Sequence, residues 1–172
     1  EHLELSSMGV DGGYTQQDIE NLARILSGWT ICKKPLASVN DPLAACIVNY
    51  WEELPAGEWV ATFRPAQHDC GQKIMFPGTN EQLIVPNTCA SKPSGVADLT
   101  LALDAIAAHP STASFISTKI LERFVMEQPS EALIDILVET WNDPSNPHGV
   151  GDLREVLRTA LTSSEFNDPD RV

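Results

Sequence analysis

The stretch Gly9-Val10-Asp11-Gly12-Gly13-Tyr14-Thr15-Gln16-Gln17-Asp18 decides how this chain is read. Glycines at 9, 12 and 13 mark a turn, because glycine enters left-handed conformations at no steric cost. Thr15 stands where a helix needs its N-cap, and Asp18, three residues on, completes a capping box. Ile19, Leu22, Ala23 and Leu26 then recur at helical spacing and give an apolar face. Gly28 stops that helix, and Trp29 is expected to fold back on its end. Upstream, Glu1-His2-Leu3-Glu4-Leu5 reads as a helix already in progress, with nothing to cap it. Residues 1–8 are therefore expected to be the last turns of a helix, and the chain to be the C-terminal part of a longer protein.

Downstream, residues 30–58 read as an extended loop, since Pro35, Pro42 and Pro55 break any long helix. Within it, Leu43–Val48 is either a helical turn or a short strand. Trp59-Val60-Ala61-Thr62-Phe63 has the alternation of a strand, and Lys73-Ile74-Met75-Phe76 is expected to pair with it as a β-hairpin. Residues 77–94 read as loop. Four amphipathic helices follow. The first turns Val96, Leu99, Leu103 and Ile106 inward. The second begins at Pro110 and buries Ala113, Ile116, Ile120, Leu121 and Phe124. The third is capped by Ser130 and buries Leu133, Ile134, Leu137 and Val138, with Trp141 near its end. The fourth is capped by Asp152 and buries Leu153, Val156, Leu157, Ala160 and Leu161. Asn167–Val172 reads as a tail. No repeat or linker divides the chain. The expected fold is mainly α over residues 1–172 as one domain: an antiparallel helical array, with a loop and hairpin insert at 30–95 and a helical core at 96–166.

Composition narrows the partners. Twenty-four acidic residues against 11 basic ones give a net charge of -13, which excludes a phosphate backbone or an anionic membrane surface as a natural target. No apolar run reaches the length of a membrane span. Cys32, Cys46, Cys70 and Cys89 all fall in the irregular middle, and none forms a CxxC pair. An even number of cysteines in loop-rich sequence suits disulfides in an oxidising compartment, with four reduced thiols as the alternative. Of the three pairings, Cys32–Cys46 and Cys70–Cys89 close the most local loops and are preferred.

Five blocks of the chain, in order, resemble one family. They are Glu1–Leu5 with Met8-Gly9-Val10; Gly13–Asp18 with Leu22-Ala23-Arg24 and Ser27-Gly28-Trp29-Thr30; His68-Asp69-Cys70-Gly71-Gln72-Lys73 with Gly78; His109–Ile116 with Lys119-Ile120 and Arg123-Phe124-Val125; and Gly151–Arg158 with Leu161–Phe166. Together they are similar to the large bacterial group called domain of unknown function 1800. The resemblance implies a mostly helical fold and an exported, extracytoplasmic protein; it implies no activity. The chain carries Ser6 where that group often has His, which removes any function resting on that imidazole.

Four constellations could carry chemistry. His68-Asp69, at the tip of the expected hairpin, could hold a divalent metal or act as a base with its orienter. Asp69 could equally accept the loop's own amides, and His68 could bond a carbonyl. His109, just before Pro110, is a third metal or catalytic candidate, or a ring that caps a helix. His148 reads as a loop residue, and His2 lies at the chain's start. Lys119, Arg123, Arg154 and Arg158 either pair with neighbouring carboxylates such as Glu122 and Glu155, or form an anion-binding stripe for an acidic glycan. No HExxH, GxSxG, GxGxxG or P-loop occurs. Two functions follow: a structural or binding module of the cell envelope, with its own longer chain, an extracellular polymer or an envelope protein as partner; or a metal-assisted hydrolase of an extracellular polymer built on His68 and Asp69.

Overall fold

Local sequence accounts for the helix boundaries in the computed structural model, which describes residues 2–47, 57–87 and 94–168. The expectations that touch Glu1, Val48, Pro55, Cys89, Pro93 and residues 169–172 lie outside the described residues. With Cys89 goes the Cys70–Cys89 pairing; among the described cysteines none is a free thiol. The chain order is α1 (His2–Ser6), α2 (Gln16–Leu26), β1 (Trp29–Pro35), β2 (Gly57–Phe63), β3 (Lys73–Met75), β4 (Leu83–Val85), α3 (Ser94–Ala108), α4 (Pro110–Phe124), α5 (Glu131–Asn142) and α6 (Leu153–Thr162). The protein is thus mostly helical, with two small antiparallel sheets and a Cys32–Cys46 disulfide. It divides into two compact units, residues 1–14 with 104–172 and residues 15–103.

In the first unit, α4, α5 and α6 share a core of Ala113, Leu121, Leu133, Leu137, Trp141, Val156 and Ala160, each buried. Ser130 and Asp152 cap α5 and α6 as the sequence requires, each side chain accepting a hydrogen bond from a first-turn amide. Three helix residues expected inside are outside: Phe124 and Leu153 in this unit, and Leu103 on the part of α3 that belongs to the other, are 51%, 53% and 45% exposed. All three sit at the margin of an apolar stripe, where periodicity alone does not say how wide the buried face is.

The second unit departs further from expectation. β2 pairs with β1, from Trp29↔Phe63 to Pro35↔Gly57, and β3 pairs with β4, from Lys73↔Val85 to Met75↔Leu83. The expected hairpin of residues 59–63 with 73–76 does not form, and the stretches read as loop at 30–58 and 77–94 each contain a strand. The reason is visible in β1. Its inward residues are Cys32 and Lys34, at 1% and 0% exposure, while Ile31 is 69% exposed, so its pattern is the reverse of an apolar-in strand. Lys34 is buried because its ammonium donates to the carbonyl of Asp41, and Cys32 because it is bonded to Cys46. The segment 64–72 bends away from β2 through a 3₁₀ turn at Pro65–Gln67 and carries β3 to α2, where Asn21 Nδ2 donates to the Ile74 carbonyl at 2.8 Å.

That contact also explains α2. Its cap is the expected one: Thr15 Oγ1 accepts from the Asp18 amide, and Asp18 Oδ2 accepts from the Thr15 amide at 2.7 Å. Its buried face, however, is Asp18, Asn21, Leu22 and Ile25, whereas Ile19 and Leu26 are 37% and 40% exposed. Asp18 serves a second element as well, because its Oδ1 accepts from the Phe76 amide at 2.6 Å and holds that residue at φ 53°, a left-handed conformation that side chains ordinarily avoid.

α3 approaches the rest of this unit through Gly95. A Cβ at that position would lie 2.1 Å from Phe63 Cζ and 3.0 Å from His68 Cδ2. The glycine is inside the helix and is there for close approach. Gly28, at φ +85°, lies against the Arg64 carbonyl, the Phe63 ring and His68 Cβ from the end of α2. Phe63 cannot yield, since Trp29 and His68 hold its ring at centroid distances of 5.4 and 5.2 Å. In an ordinary helix, Gly→Ala would stabilise by about 0.5–1 kcal/mol. Here Gly95→Ala is expected to destabilise by about 1–3 kcal/mol, as overpacking does, measured as a lower midpoint in urea at unchanged slope.

Candidate functional site

α2, the loop after β2, β3 and α3 meet at a cluster of buried polar side chains. His68 is central. Its Nδ1 lies 2.8 Å from the carbonyl of Ser27, the C-cap of α2, and a carbonyl only accepts, so Nδ1 carries the hydrogen. Its Nε2 lies 3.1 Å from Asp98 Oδ2 and 3.2 Å from Lys73 Nζ. Lys73 Nζ in turn donates to Asp98 Oδ2 at 3.0 Å. The side chains of His68, Lys73 and Asp98 are 3%, 1% and 5% exposed. Three polar side chains from three segments thus meet where water scarcely reaches.

Asp69, beside it, is held from the surface. Arg24 grips it with two bonds, Nε to Oδ2 at 3.0 Å and Nη2 to Oδ1 at 3.1 Å, and the Gly71 amide adds a third at 2.8 Å. The guanidinium first, and then that amide, lower the Asp69 carboxyl from 3.8 to about 2. Arg24 Nη1 continues the chain to Asn21 Oδ1 at 2.8 Å. Ser27 closes the network. Its Oγ donates to the Arg24 carbonyl at 2.6 Å and accepts from the Asp69 amide at 2.7 Å.

Ser27, His68 and Asp98 resemble a nucleophile–base–acid relay, with Ser27 Oγ 3.4 Å from His68 Nδ1. The hydrogens exclude it. Nδ1 spends its proton on the Ser27 carbonyl, and the Ser27 hydroxyl spends its own on Arg24, so no lone pair on the base faces the serine. His68 and Asp69 are also the metal candidates of the sequence. Both ring nitrogens and both carboxylate oxygens have partners, and among the described residues no group of three or more His, Cys, Asp or Glu side chains is placed to hold a metal ion.

His109 belongs to the other unit. It is the N-cap of α4, its Nδ1 accepting from the Ser111 amide at 3.2 Å, with Pro110 at the first helical position. His2 and His148 are exposed, and the His148 amide donates to Asp152 Oδ2 at 3.2 Å. Two of the basic residues make the expected surface pairs, Lys119 with Glu122 at 2.7 Å and Arg158 with Glu155 at 3.2 Å; Arg123 and Arg154 are exposed. Sequence reading finds His68 and Asp69 but misses Arg24, Ser27, Lys73 and Asp98. One signal was present: Gly95, Asp98, Ala102 and Ile106 follow at spacings of three, four and four, and all are buried, so the acid sits in the middle of an inward stripe.

Two measurements follow. Asp98→Asn leaves Lys73 without its counter-charge and is expected to cost about 3–5 kcal/mol, while Lys73→Met with Asp98→Leu recovers most of that loss, as replacement of a whole buried pair does; urea unfolding of the three proteins compares them. For Asp69, a carboxyl lowered in the folded state stabilises above its unfolded value, near 3.8, and loses that contribution as the pH falls through about 2. The pair is more than a third exposed, at 37% and 39%, so solvent limits the effect to below about 1 kcal/mol. A stability titration from pH 5 to pH 2 is expected to show it in the native chain and not in Asp69→Asn.

No described helix is long and apolar enough to cross a membrane. Comparison with curated proteins gives no match, and comparison with solved structures gives none either. The model of the family described as "Protein of unknown function (DUF1800)" matches residues 1–172 from end to end, and the chain therefore belongs to that family.

Proposed function

We propose that this chain is an exported structural or binding module of the bacterial cell envelope, without catalysis of its own. One observation carries the reading: His68 and Asp69, the residues best suited by type to hold a metal or move a proton, have every polar side-chain atom engaged by the protein itself. Catalytic groups need a free lone pair or proton facing a space where substrate can sit. Here the same chemistry is turned inward, tying the end of α2 to α3 through His68. The Cys32–Cys46 disulfide supports an oxidising compartment outside the cytoplasm. The net charge of -13 supports a protein kept dispersed by self-repulsion, with partners other than nucleic acid. The helical array, the single-domain organisation and the place of this chain within a longer protein belong to the same reading.

The test has two arms. After dialysis against zinc or manganese and gel filtration, mass spectrometry is expected to find below about 0.1 metal per chain, unchanged in His68→Ala; near-stoichiometric metal lost in that variant would replace this reading with the metal-assisted hydrolase. Fractionation of cells making the full protein is expected to recover it outside the cytoplasm with its disulfide formed. Recovery in the cytoplasm with reduced thiols would sink the envelope assignment.

A further inference from the structure

Residues 36–47 form a strap that runs back onto β1 and β2 after a 3₁₀ turn at Leu36–Ser38. Four kinds of tie hold it. The Ile47 amide donates to the Lys33 carbonyl at 2.8 Å. The Pro42 carbonyl accepts from the Phe63 amide at 2.8 Å and from Thr62 Oγ1 at 2.7 Å. Lys34 Nζ donates to the Asp41 carbonyl. The Cys32–Cys46 disulfide is the covalent tie, spanning 14 residues of sequence. Lys34 is 0% exposed, and among the described residues no carboxylate pairs with it. An ammonium balanced only by a carbonyl would ordinarily turn to water, so its burial depends on the strap staying down.

The two sulfurs differ in access. Cys32 is 1% exposed. Cys46 lines an open groove of about 390 Å³, whose walls are Leu43–Cys46 on one side and Thr62–Gln67 on the other. A thiolate entering that groove meets Cys46 before Cys32, and access decides which sulfur of a disulfide is attacked.

We propose that Cys32–Cys46 is a thiol-addressable latch on this strap, opened by a dithiol reductant that attacks at Cys46. One thiolate of the dithiol forms a new bond to Cys46 Sγ as the Cys32–Cys46 bond breaks. The electron pair leaves on Cys32, which takes a proton from solvent. The second thiolate of the dithiol then attacks its own sulfur in the mixed disulfide, and Cys46 departs as a thiolate and is protonated in turn. The dithiol loses two electrons and becomes a disulfide; the cysteine pair gains them. With only hydrogen bonds left, each of which water can replace, the strap lifts and Lys34 is uncovered.

The first experiment treats the folded protein with excess glutathione, a monothiol, and acid-quenches it over a time course to trap the mixed disulfide before Cys32 or a second thiol displaces it, followed by unfolding, alkylation and peptide mapping. Glutathione is expected on Cys46 and the alkyl group on Cys32. Glutathione on Cys32, or no adduct on either without denaturant, overturns the proposal. The second compares acetylation of Lys34 by an N-hydroxysuccinimide ester in the native chain and in Cys32→Ala/Cys46→Ala, without reductant, so that Cys70 keeps its own bond. Lys34 is expected to react at least tenfold faster in the variant, with Lys73, buried in a different network, as protected as before. Equal Lys34 reactivity in both proteins overturns the latch. So does a parallel rise at Lys73, which would make the disulfide a staple for the whole unit. The glutathione arm needs no variant to fold.

Discussion

Asp98 is a carboxylate placed where water scarcely reaches, and that placement constrains everything around it. A buried charge is tolerated only when a partner of opposite sign and enough hydrogen bonds meet it. Lys73 supplies the charge, His68 fills the space beside both, and Ser27 fixes which nitrogen of His68 carries the proton. Each comes from a different segment: the end of α2, the loop after β2, the start of β3 and the second turn of α3. The unit formed by residues 15–103 is therefore held by a polar centre as much as by an apolar one. Gly28 and Gly95 are the spatial counterpart of that centre, since Phe63 and His68, with the Arg64 carbonyl beside Gly28, occupy the volume their side chains would need.

The other unit is built in the ordinary way. Its core is aliphatic, with one tryptophan, and its helices begin at Ser, Asp and His caps. Among its described residues the ion pairs are the surface pairs Lys119–Glu122 and Arg158–Glu155, each three residues apart. This contrast bears on function. A cluster of His, Lys and Asp invites a catalytic reading, yet both ring nitrogens of His68 bond within the protein. What distinguishes a catalytic His–Asp pair from a structural one is where the second nitrogen points, and here that nitrogen, Nδ1, donates to the Ser27 carbonyl.

The sheet of β1 and β2 shows how a covalent bond can support an unusual burial. Lys34 and Cys32 face inward while Ile31 and Trp59 are 69% and 58% exposed. Such a strand would be unfavourable if it folded alone. It holds because residues 36–47 return to cover it, supplying the Asp41 carbonyl to the lysine and Cys46 to the cysteine. The strap and the inverted strand are stable only together.

The sequence by itself determined where the helices start and stop. Thr15 with Asp18, Pro110, Ser130 and Asp152 act within one helical turn, so their effect is legible over three or four residues. It also pointed to the Cys32–Cys46 bond, because a short loop closes easily, and to His68 and Asp69 as unusual polar residues. Only the tertiary structure decided which strands pair and which polar residues go inside. β1 hid behind Lys33-Lys34-Pro35, and Asp98 looked like one more acid on an amphipathic helix. The physical reason is one of range. A cap bonds to its own turn, whereas Asp98 meets Lys73 and His68 across 25 and 30 residues of chain, and a charge becomes favourable to bury only once that distant partner has arrived.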